Sequence, residues 1–266
     1  MDARAIGVFD SGLGGLTVVK EIAKLLPKES IIYLGDTARV PYGTRSGELV
    51  RKFSFQDAYF LLAKKVKCIV IACNTSSALA SEALKRKIKI PVFEVITPPA
   101  VLAASHTKTK KVGVIGTRGT ILSGAYQKKI KRLNPKIRVY AEACPLLVPF
   151  IEEGEFGSAL DTVIVNYLKP LKKAGIDTLI MGCTHYPIIE KRLRKFLGKK
   201  VEFINPGKAV AEDLRNYLQE NDLLSKNKAV KRKYYVTDLT ARFIKTAEMF
   251  LGKRVNGNLK EVNIEK

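Results

Sequence analysis

Two cysteines, Cys73 and Cys183, stand 110 residues apart in matching positions, each after a short apolar run and before polar residues. Such a run is typical of a buried parallel strand, and ligands in open α/β sheets bind at the carboxyl ends of strands. A free thiol has a pKa of about 8.5, so either protonation state is accessible near neutral pH. Two thiols facing one cleft could take a proton from one face of a carbon and return one to the other. The pair predicts inversion of a stereocentre.

Other polar residues at the predicted strand ends are candidate partners of these thiols. Asp10 and His185 are candidates for assisting proton transfer, the first beside Cys73 and the second beside Cys183. Backbone N–H groups at the start of a helix bind carboxylates well. The side chains that could join them in holding a substrate carboxylate are Asn74, Thr75 and Thr184. The other residues just past strand ends are Ser11, Asp36 and Thr117.

The two remaining cysteines, Cys68 and Cys144, lack this context, and we interpret them as small buried apolar residues. The glycine-rich segment 12–15 follows the first predicted strand. It has neither the Gly-Lys-Ser/Thr ending of a P-loop nor the spacing of a dinucleotide-binding loop. It predicts a tight strand-to-helix turn that projects Asp10 and Ser11 into the site.

These residues must be positioned by alternating strands and helices. Apolar residues at helical spacing lie between most of the β-branched runs, which is typical of βαβ units with parallel sheets. The predicted strands are residues 6–9, 31–34, 68–72, 92–96, 112–115, 139–141, 178–181, 201–204 and 234–237.

The first strands recur in order. Ile6-Gly-Val-Phe-Asp10 is similar to Val112-Gly-Val-Ile-Gly, and Ile69-Val-Ile-Ala-Cys73 to Leu179-Ile-Met-Gly-Cys183. The near-constant offset predicts two similar α/β domains with mainly parallel sheets, related by a pseudo-two-fold duplication, with the active site at their interface.

Prolines divide the chain into these two domains. The segment 91–99 ends in Pro98-Pro99, which cannot continue a helix or a central strand, and Pro206-Gly207 forms a second break. We expect a discontinuous first domain of residues 1–97 and 207–266, and a second domain of residues 98–206.

Composition excludes several classes of protein. Hydrophobic residues make up 46% of the 266 residues, a larger fraction than a disordered chain has. No apolar run is long enough to span a membrane. Residues 1–7 do not have the basic and apolar regions typical of a secretory leader, so we do not expect a secreted protein. Four cysteines without a Cys-x-x-Cys pair predict neither a disulfide framework nor a metal site. We expect a cytoplasmic protein. The net charge of +22 leaves a nucleic-acid-binding protein as an alternative, although the Lys and Arg residues are scattered along helices.

Six motifs, taken in order, resemble those of the glutamate racemases within the cofactor-independent aspartate/glutamate racemase family. They span nearly the whole chain and lie at residues 7–17, 35–43, 72–78, 112–121, 145–154 and 182–187. The resemblance implies that glutamate is the substrate, that no cofactor or metal is required, and that the protein is a homodimer. It also implies a role in supplying D-glutamate for peptidoglycan.

The resemblance also implies roles for individual residues. Cys73 would act on D-glutamate with help from Asp10, and Cys183 on L-glutamate with help from Glu152 and His185. The implied substrate-binding residues are Asp10, Ser11, Tyr42, Gly43, Asn74, Thr75, Thr117, Thr184 and His185.

An aspartate racemase of the same family is the nearer alternative. Aspartate racemases typically have His and Glu where this chain has Ser77 and His185, which favours glutamate. Two residues depart from the family pattern, namely Glu94 and Pro99 at the predicted domain crossover. We expect them to affect the geometry of the hinge rather than catalysis.

Overall fold

Strands and helices alternate along the computed structural model, which describes residues 2–227, 229–240, 243–252, 254–255 and 259–265. The strands of the described residues are β1 Ile6–Asp10, β2 Ile31–Gly35, β3 Cys68–Ile71, β4 Val92–Glu94, β5 Lys111–Gly116, β6 Arg138–Ala143, β7 Thr178–Gly182, β8 Glu202–Ile204, β9 Arg232–Val236 and β10 Leu259–Glu261. The helices are α1 Leu16–Leu25, α2 Gly47–Ala63, α3 Asn74–Lys87, α4 Thr97–His106, α5 Arg118–Ser123, α6 Ala125–Leu133, α7 Leu147–Glu153, α8 Ser158–Ala174, α9 Glu190–Leu197, α10 Pro206–Glu220 and α11 Phe243–Leu251.

The strands form two sheets, and every strand pair in the described residues is parallel. One sheet has the order β10-β9-β2-β1-β3-β4 and the other the order β6-β5-β7-β8. The first four strands of the chain therefore lie in the same order as the next four. The predicted α/β class and the predicted duplication are confirmed.

The six-stranded sheet takes strands from both ends of the chain. β9 pairs with β2 over Ile31–Gly35, and β10 pairs with β9. All four strands of the other sheet lie between residues 111 and 204. This topology supports a discontinuous first domain, whose bounds stay a prediction. Residues 1, 228, 241–242, 253, 256–258 and 266 of that predicted domain lie outside the described residues.

The crossover between the sheets starts a helix. Pro98 and Pro99 lie in the first turn of α4, where a missing N–H costs no hydrogen bond. Glu94 is buried, and its carboxylate accepts hydrogen bonds from the N–H groups of Ile96 and Thr97, at 2.5 and 3.0 Å. The two departures from the family pattern, Glu94 and Pro99, thus lie at the start of α4, one as a carboxylate that accepts from its first N–H groups and one as a proline of its first turn.

The core of both sheets is made of β-branched and aliphatic side chains, which the helices cover. Buried strands of this composition leave polar groups only at their ends, where the loops begin. Among the described residues, no helix combines the length and the apolar composition that crossing a membrane requires.

Candidate active site

A cavity of about 380 Å³ lies where the carboxyl ends of the two sheets face each other. The residues that line it follow β1, β2 and β3 on one side and β5, β6 and β7 on the other. Both Cys73 and Cys183 line it. The predicted site residues that also line it are Ser11, Tyr42, Gly43, Asn74, Thr75, Thr117, Glu152, Thr184 and His185.

Cys73 is the N-cap residue of α3. Its sulfur accepts a hydrogen bond from the Ser76 N–H at 3.5 Å and lies 3.6 Å from the Ser11 hydroxyl. The side chain is only 6% exposed, and burial, with the negative charge of Asp10 as a second cause, raises its pKa to about 11. At neutral pH Cys73 is therefore a thiol that can donate a proton.

Cys183 directly follows β7 and is 5% exposed. Its sulfur lies 3.8 Å from Nδ1 of His185, and the opposite ring nitrogen, Nε2, lies 2.9 Å from Oε1 of Glu152. His185 therefore lies between Cys183 and Glu152, and all three side chains line the cavity. A cationic imidazole beside a cysteine stabilises its thiolate form.

The ionisation of His185 makes the two cysteine environments unequal. Burial lowers the pKa of His185, but the hydrogen bonds to Cys183 and Glu152 outweigh it and raise the pKa to about 10. His185 is therefore an imidazolium at neutral pH. One side of the cavity holds a thiol beside a carboxyl group, and the other a sulfur beside a positive charge.

We expect His185→Asn to lower kcat/KM by about 10- to 100-fold, because hydrogen bonds to charged partners contribute about 1.5–3 kcal/mol.

The same variant should also change the pH dependence of stability. Because the pKa of His185 is raised from 6.5 to about 10 in the folded protein, its protonated ring stabilises the fold fully below about pH 6.5. This stabilisation is lost as the pH rises through about 10. The Tm difference between wild type and variant should therefore shrink from pH 6.5 to pH 10.

His106 provides the matched control for this prediction, since it also pairs with a carboxylate, that of Glu202, but is 43% exposed. His106→Asn should leave kcat/KM unchanged. A Tm difference for His185→Asn that is the same at every pH would show that the imidazole is neutral in the folded protein.

Asp10 lies behind the cavity and is not one of its lining residues. Its Oδ1 accepts a hydrogen bond from the Gly12 N–H at 3.1 Å, and its Oδ2 is buried without a partner in the part of the chain that is described. Burial raises the pKa of the Asp10 carboxyl. The position fits assistance to Cys73 better than direct contact with a substrate.

Asn74 lines the cavity and lies against a tyrosine from the second sheet's side. The Tyr126 hydroxyl lies 2.7 Å from Asn74 Oδ1 and 2.9 Å from the carbonyl oxygen of Val95, so its single proton has two acceptors. The Nδ2 group of Asn74 is buried with no partner among the described residues. An unpartnered buried donor costs free energy unless a ligand accepts from it. Nδ2 of Asn74 is therefore suited to a carboxylate.

Tyr126→Phe should raise KM by up to about tenfold, because the amide of Asn74 loses the bond that fixes its orientation, worth about 0.5–1.5 kcal/mol. In an Asn74→Ala background, the same change should have no further effect on KM. Steady-state kinetics of the four proteins test this coupling. Additive losses would mean that Tyr126 does not act through Asn74.

Two threonines join the halves across the cavity. Thr75, in the first turn of α3, lies 2.9 Å from Thr117, the N-cap residue of α5, between their hydroxyl oxygens. A Cβ at Gly43 would lie 2.7 Å from Cβ of Thr117. The loop that carries Tyr42 and Gly43 therefore touches the second half directly.

Tyr42 is held from behind by two buried carboxyl groups. Its hydroxyl contacts Oδ2 of Asp36 and lies 3.1 Å from Oδ2 of Asp57. Burial raises the pKa of Tyr42, so the hydroxyl keeps its single proton and can donate to only one carboxyl group. Arg39 lies against the same two groups, donating from Nε to Oδ2 of Asp36 at 2.7 Å, with its Nη2 3.5 Å from Oδ1 of Asp57. Burial, followed by the negative charge of Asp36, raises the pKa of Asp57 well above its usual value. We therefore infer that Asp57 keeps its proton to a higher pH than a free aspartate does.

Asp57→Asn tests whether Asp57 is protonated, since the amide of asparagine can donate the hydrogen bond that a protonated Asp57 would donate to Tyr42. The raised pKa makes wild-type stability fall as the pH rises above the ordinary aspartate value of 3.8. Relative to wild type, the variant should gain up to about 1.4 kcal/mol of unfolding free energy per pH unit. Urea denaturation at pH 5, 6.5 and 8 measures the difference. A difference that does not change with pH would mean that Asp57 is ionised.

Among the residues that the structure describes, no three His, Cys, Asp or Glu side chains are grouped as a metal site requires.

Comparison with known proteins identifies the family. The model of the family described as Asp/Glu/Hydantoin racemase matches residues 6–214. A glutamate racemase of Geobacter metallireducens is 45% identical over 267 residues, which cover 100% of this chain and 98% of the relative. The chain belongs to the Asp/Glu/Hydantoin racemase family.

Two solved structures of the family have the same fold. Glutamate racemase isoform RacE1 from Bacillus anthracis gives a TM-score of 0.95 at 41% identity, with 99% of this chain and 98% of that chain covered. Glutamate racemase from Francisella tularensis, solved in complex with D-glutamate, gives 0.94 at 43% identity, with 100% and 99% covered. These likenesses extend over both sheets.

Sequence reasoning missed several residues that shape this racemase-family cavity. Tyr126 and Asp57 lie on helices outside the motifs, and no local pattern distinguishes them from ordinary core residues. The cavity-lining residues without a predicted role are Val40, Pro41, Thr44, Arg118, Pro145, Val148, Pro149 and Glu153. Seven of these eight lie inside the motifs that carried the resemblance, and Thr44 directly follows one of them. The motifs therefore located the segments that line the cavity but did not identify each lining side chain.

Proposed function

We propose that this chain is a glutamate racemase that interconverts L- and D-glutamate with Cys73 and Cys183 as its two acid–base groups. One observation carries the proposal: two cysteines at equivalent strand ends of a duplicated fold line a single cavity. The glutamate racemases that match the chain over its full length support glutamate as the substrate.

In the direction from L- to D-glutamate, the Cys183 thiolate takes the proton from Cα, so the C–H bond breaks and an S–H bond forms. The Cys73 thiol then gives its proton to the opposite face of Cα, and its S–H bond becomes the new C–H bond. The enzyme is left with a Cys183 thiol and a Cys73 thiolate, which is the state that reacts with D-glutamate. The raised pKa of Cys73 supports its thiol form in the first state, and the positively charged His185 ring lies 3.8 Å from the Cys183 sulfur.

The substrate carboxylates would be held by donors that surround the cavity. The Asn74 amide nitrogen, the Thr75, Thr117 and Thr184 hydroxyl groups and the Ser11 hydroxyl all line it. Hydrogen bonds to charged groups are stronger than neutral ones, so several such donors can fix the orientation of Cα between the two sulfurs. Asp10 behind Cys73 and Glu152 behind His185 would assist proton transfer on their respective sides.

A direct assay separates this proposal from its alternatives. L-glutamate and L-aspartate are incubated with the protein, without added cofactor, and the enantiomers are separated by chiral chromatography, with and without a chelator. We expect glutamate to racemise to a 1:1 mixture, aspartate to react far more slowly, and the chelator to have no effect. Preference for aspartate, or activity only after a cofactor is added, would overturn the proposal.

We also propose that the protein works in the cytoplasm as a homodimer and supplies D-glutamate for peptidoglycan. Two leucines support a dimer, since Leu122 is 84% and Leu146 51% exposed, on segments adjacent to cavity-lining residues. Sedimentation velocity of the wild type and of Leu122→Gln tests the oligomer. A monomeric wild type at micromolar concentration would contradict it.

A further inference from the structure

A second concave site lies at the opposite end of the six-stranded sheet from the active-site cavity. It has a volume of about 530 Å³ and lies beside the amino ends of β1, β2 and β9. A strand of five residues is about 16 Å long, so the two sites are well separated. We call this site the basic cleft, because its charged lining residues are Arg4, Lys64, Lys65, Lys231 and Lys233.

The positive charge of the basic cleft is compensated at Arg4 but not at its four lysines. No acidic side chain is among the described residues that line it. Arg4 pairs with Asp2 at 2.6 Å, whereas the four lysines make no ion pair with any described carboxylate. Like charges at close range repel one another, and low-dielectric walls concentrate their field. A compact anion with several charges would relieve this repulsion.

The backbone beside the basic cleft is held in place by the sheet. The carbonyl oxygen of Lys231 accepts a hydrogen bond from the Ile31 N–H at 3.0 Å, and the N–H of Lys231 donates to the Ser30 hydroxyl at 3.1 Å. The Lys64 ammonium group lies over the Phe60 and Tyr235 rings, at 4.9 and 5.2 Å. Arg4 and the four lysines are exposed and come from three segments that the sheet brings to one concave surface.

We propose that the basic cleft binds a chain of phosphate groups, either as a free polyphosphate or as part of a nucleotide. Its volume falls within the range of about 300–1,000 Å³ that is usual for small-molecule sites. Several phosphates in a row carry the charge density needed to contact cations from three segments at once, which a single carboxylate lacks. This site is independent of the proposed racemase function.

The experiment is isothermal titration calorimetry with inorganic tripolyphosphate at about 150 mM salt, an ionic strength that screens exposed charges beyond about 8 Å. We expect one site per chain and a Kd in the micromolar range. The double variant Lys231→Gln/Lys233→Gln should weaken binding at least about tenfold and leave glutamate racemisation unchanged. Saturating glutamate should not displace the tripolyphosphate.

The double variant Lys169→Gln/Lys173→Gln is the matched control, since it removes the same charge from the exposed face of α8. It should bind as wild type does. Equal weakening in both double variants, several weak sites, or no binding at millimolar concentration would overturn the proposal.

Titration with ATP in the absence of metal ions distinguishes a free polyphosphate from a nucleotide as the natural ligand. If ATP binds more tightly than tripolyphosphate, the ligand is a nucleotide. Preference for a single-stranded oligonucleotide over both would replace the proposal with polymer binding.

Discussion

Cys73→Ser should lower the rate of glutamate racemisation by about 10²–10⁴-fold, the usual contribution of one acid–base group. Cys183→Ser should do the same. Because two enantiomers have equal free energies, kcat/KM must fall equally in both directions for each variant. Racemisation rates therefore cannot show which cysteine serves which enantiomer.

Hydrogen exchange at Cα in D2O gives that information. In Cys73→Ser, the intact Cys183 should still remove the proton of L-glutamate and return deuterium to the same face. L-glutamate should therefore exchange with retention of configuration, while D-glutamate does not exchange. In Cys183→Ser the pattern should be reversed. NMR of the Cα proton of each pure enantiomer measures both rates.

The other two cysteines serve as controls for these variants. Cys68 and Cys144 are buried and do not line the cavity. Cys68→Ala and Cys144→Ala should racemise glutamate at wild-type rates if they fold. Full activity in both Cys73→Ser and Cys183→Ser, or the same exchange pattern in the two, would end the assignment of the thiols.

Gly14→Ala should lower kcat/KM by about a hundredfold, although Gly14 contacts no substrate. A Cβ at this position would overlap the Thr184 hydroxyl oxygen and lie 2.5 Å from the His185 ring. The turn after β1 therefore packs directly against the residues that follow Cys183. Displacing catalytic groups by about 1 Å can reduce the rate about 10²-fold.

The sheets themselves should survive the Gly14→Ala substitution, because the overlap lies between them rather than inside either. Thr17 reinforces the same contact, donating from its hydroxyl to the Thr184 carbonyl oxygen at 2.8 Å. Circular dichroism should be unchanged, while Tm falls. The matched control is Gly157→Ala, since a Cβ at Gly157 meets nothing within 4 Å. Activity of Gly14→Ala within twofold of wild type would show that the contact does not position the second cysteine's loop.

Most of the strands could be predicted from the sequence, because each is a short apolar run at the start of a βαβ unit. It missed β10, whose residues Leu259–Glu261 include two charges and form an edge strand. A strand with one neighbour and little burial needs no apolar pattern, so composition alone does not reveal it.

For the candidate site, the chemistry of the cysteines and of their polar neighbours was readable because both lie at strand ends. The residues that hold these groups were not readable. Tyr126 contacts Asn74 from a different helix, and Asp57 lies 3.1 Å from the Tyr42 hydroxyl across a helix and a loop. Such partners are far apart in sequence and share no spacing rule. Whether the site residues act as proposed stays a prediction for the experiments above.

The pairing of β9 with β2 has a consequence for biosynthesis. Domains fold as units during translation, usually with the amino-terminal one first. Here the sheet that contains the amino terminus cannot be completed until residues 232–236 have left the ribosome, whereas residues 111–204 already contain every strand of the other sheet. The sheet that starts first along the chain is therefore completed last, and β2 carries an open edge through most of translation. A nascent chain stalled before β9 would expose that edge to other chains and be prone to aggregation.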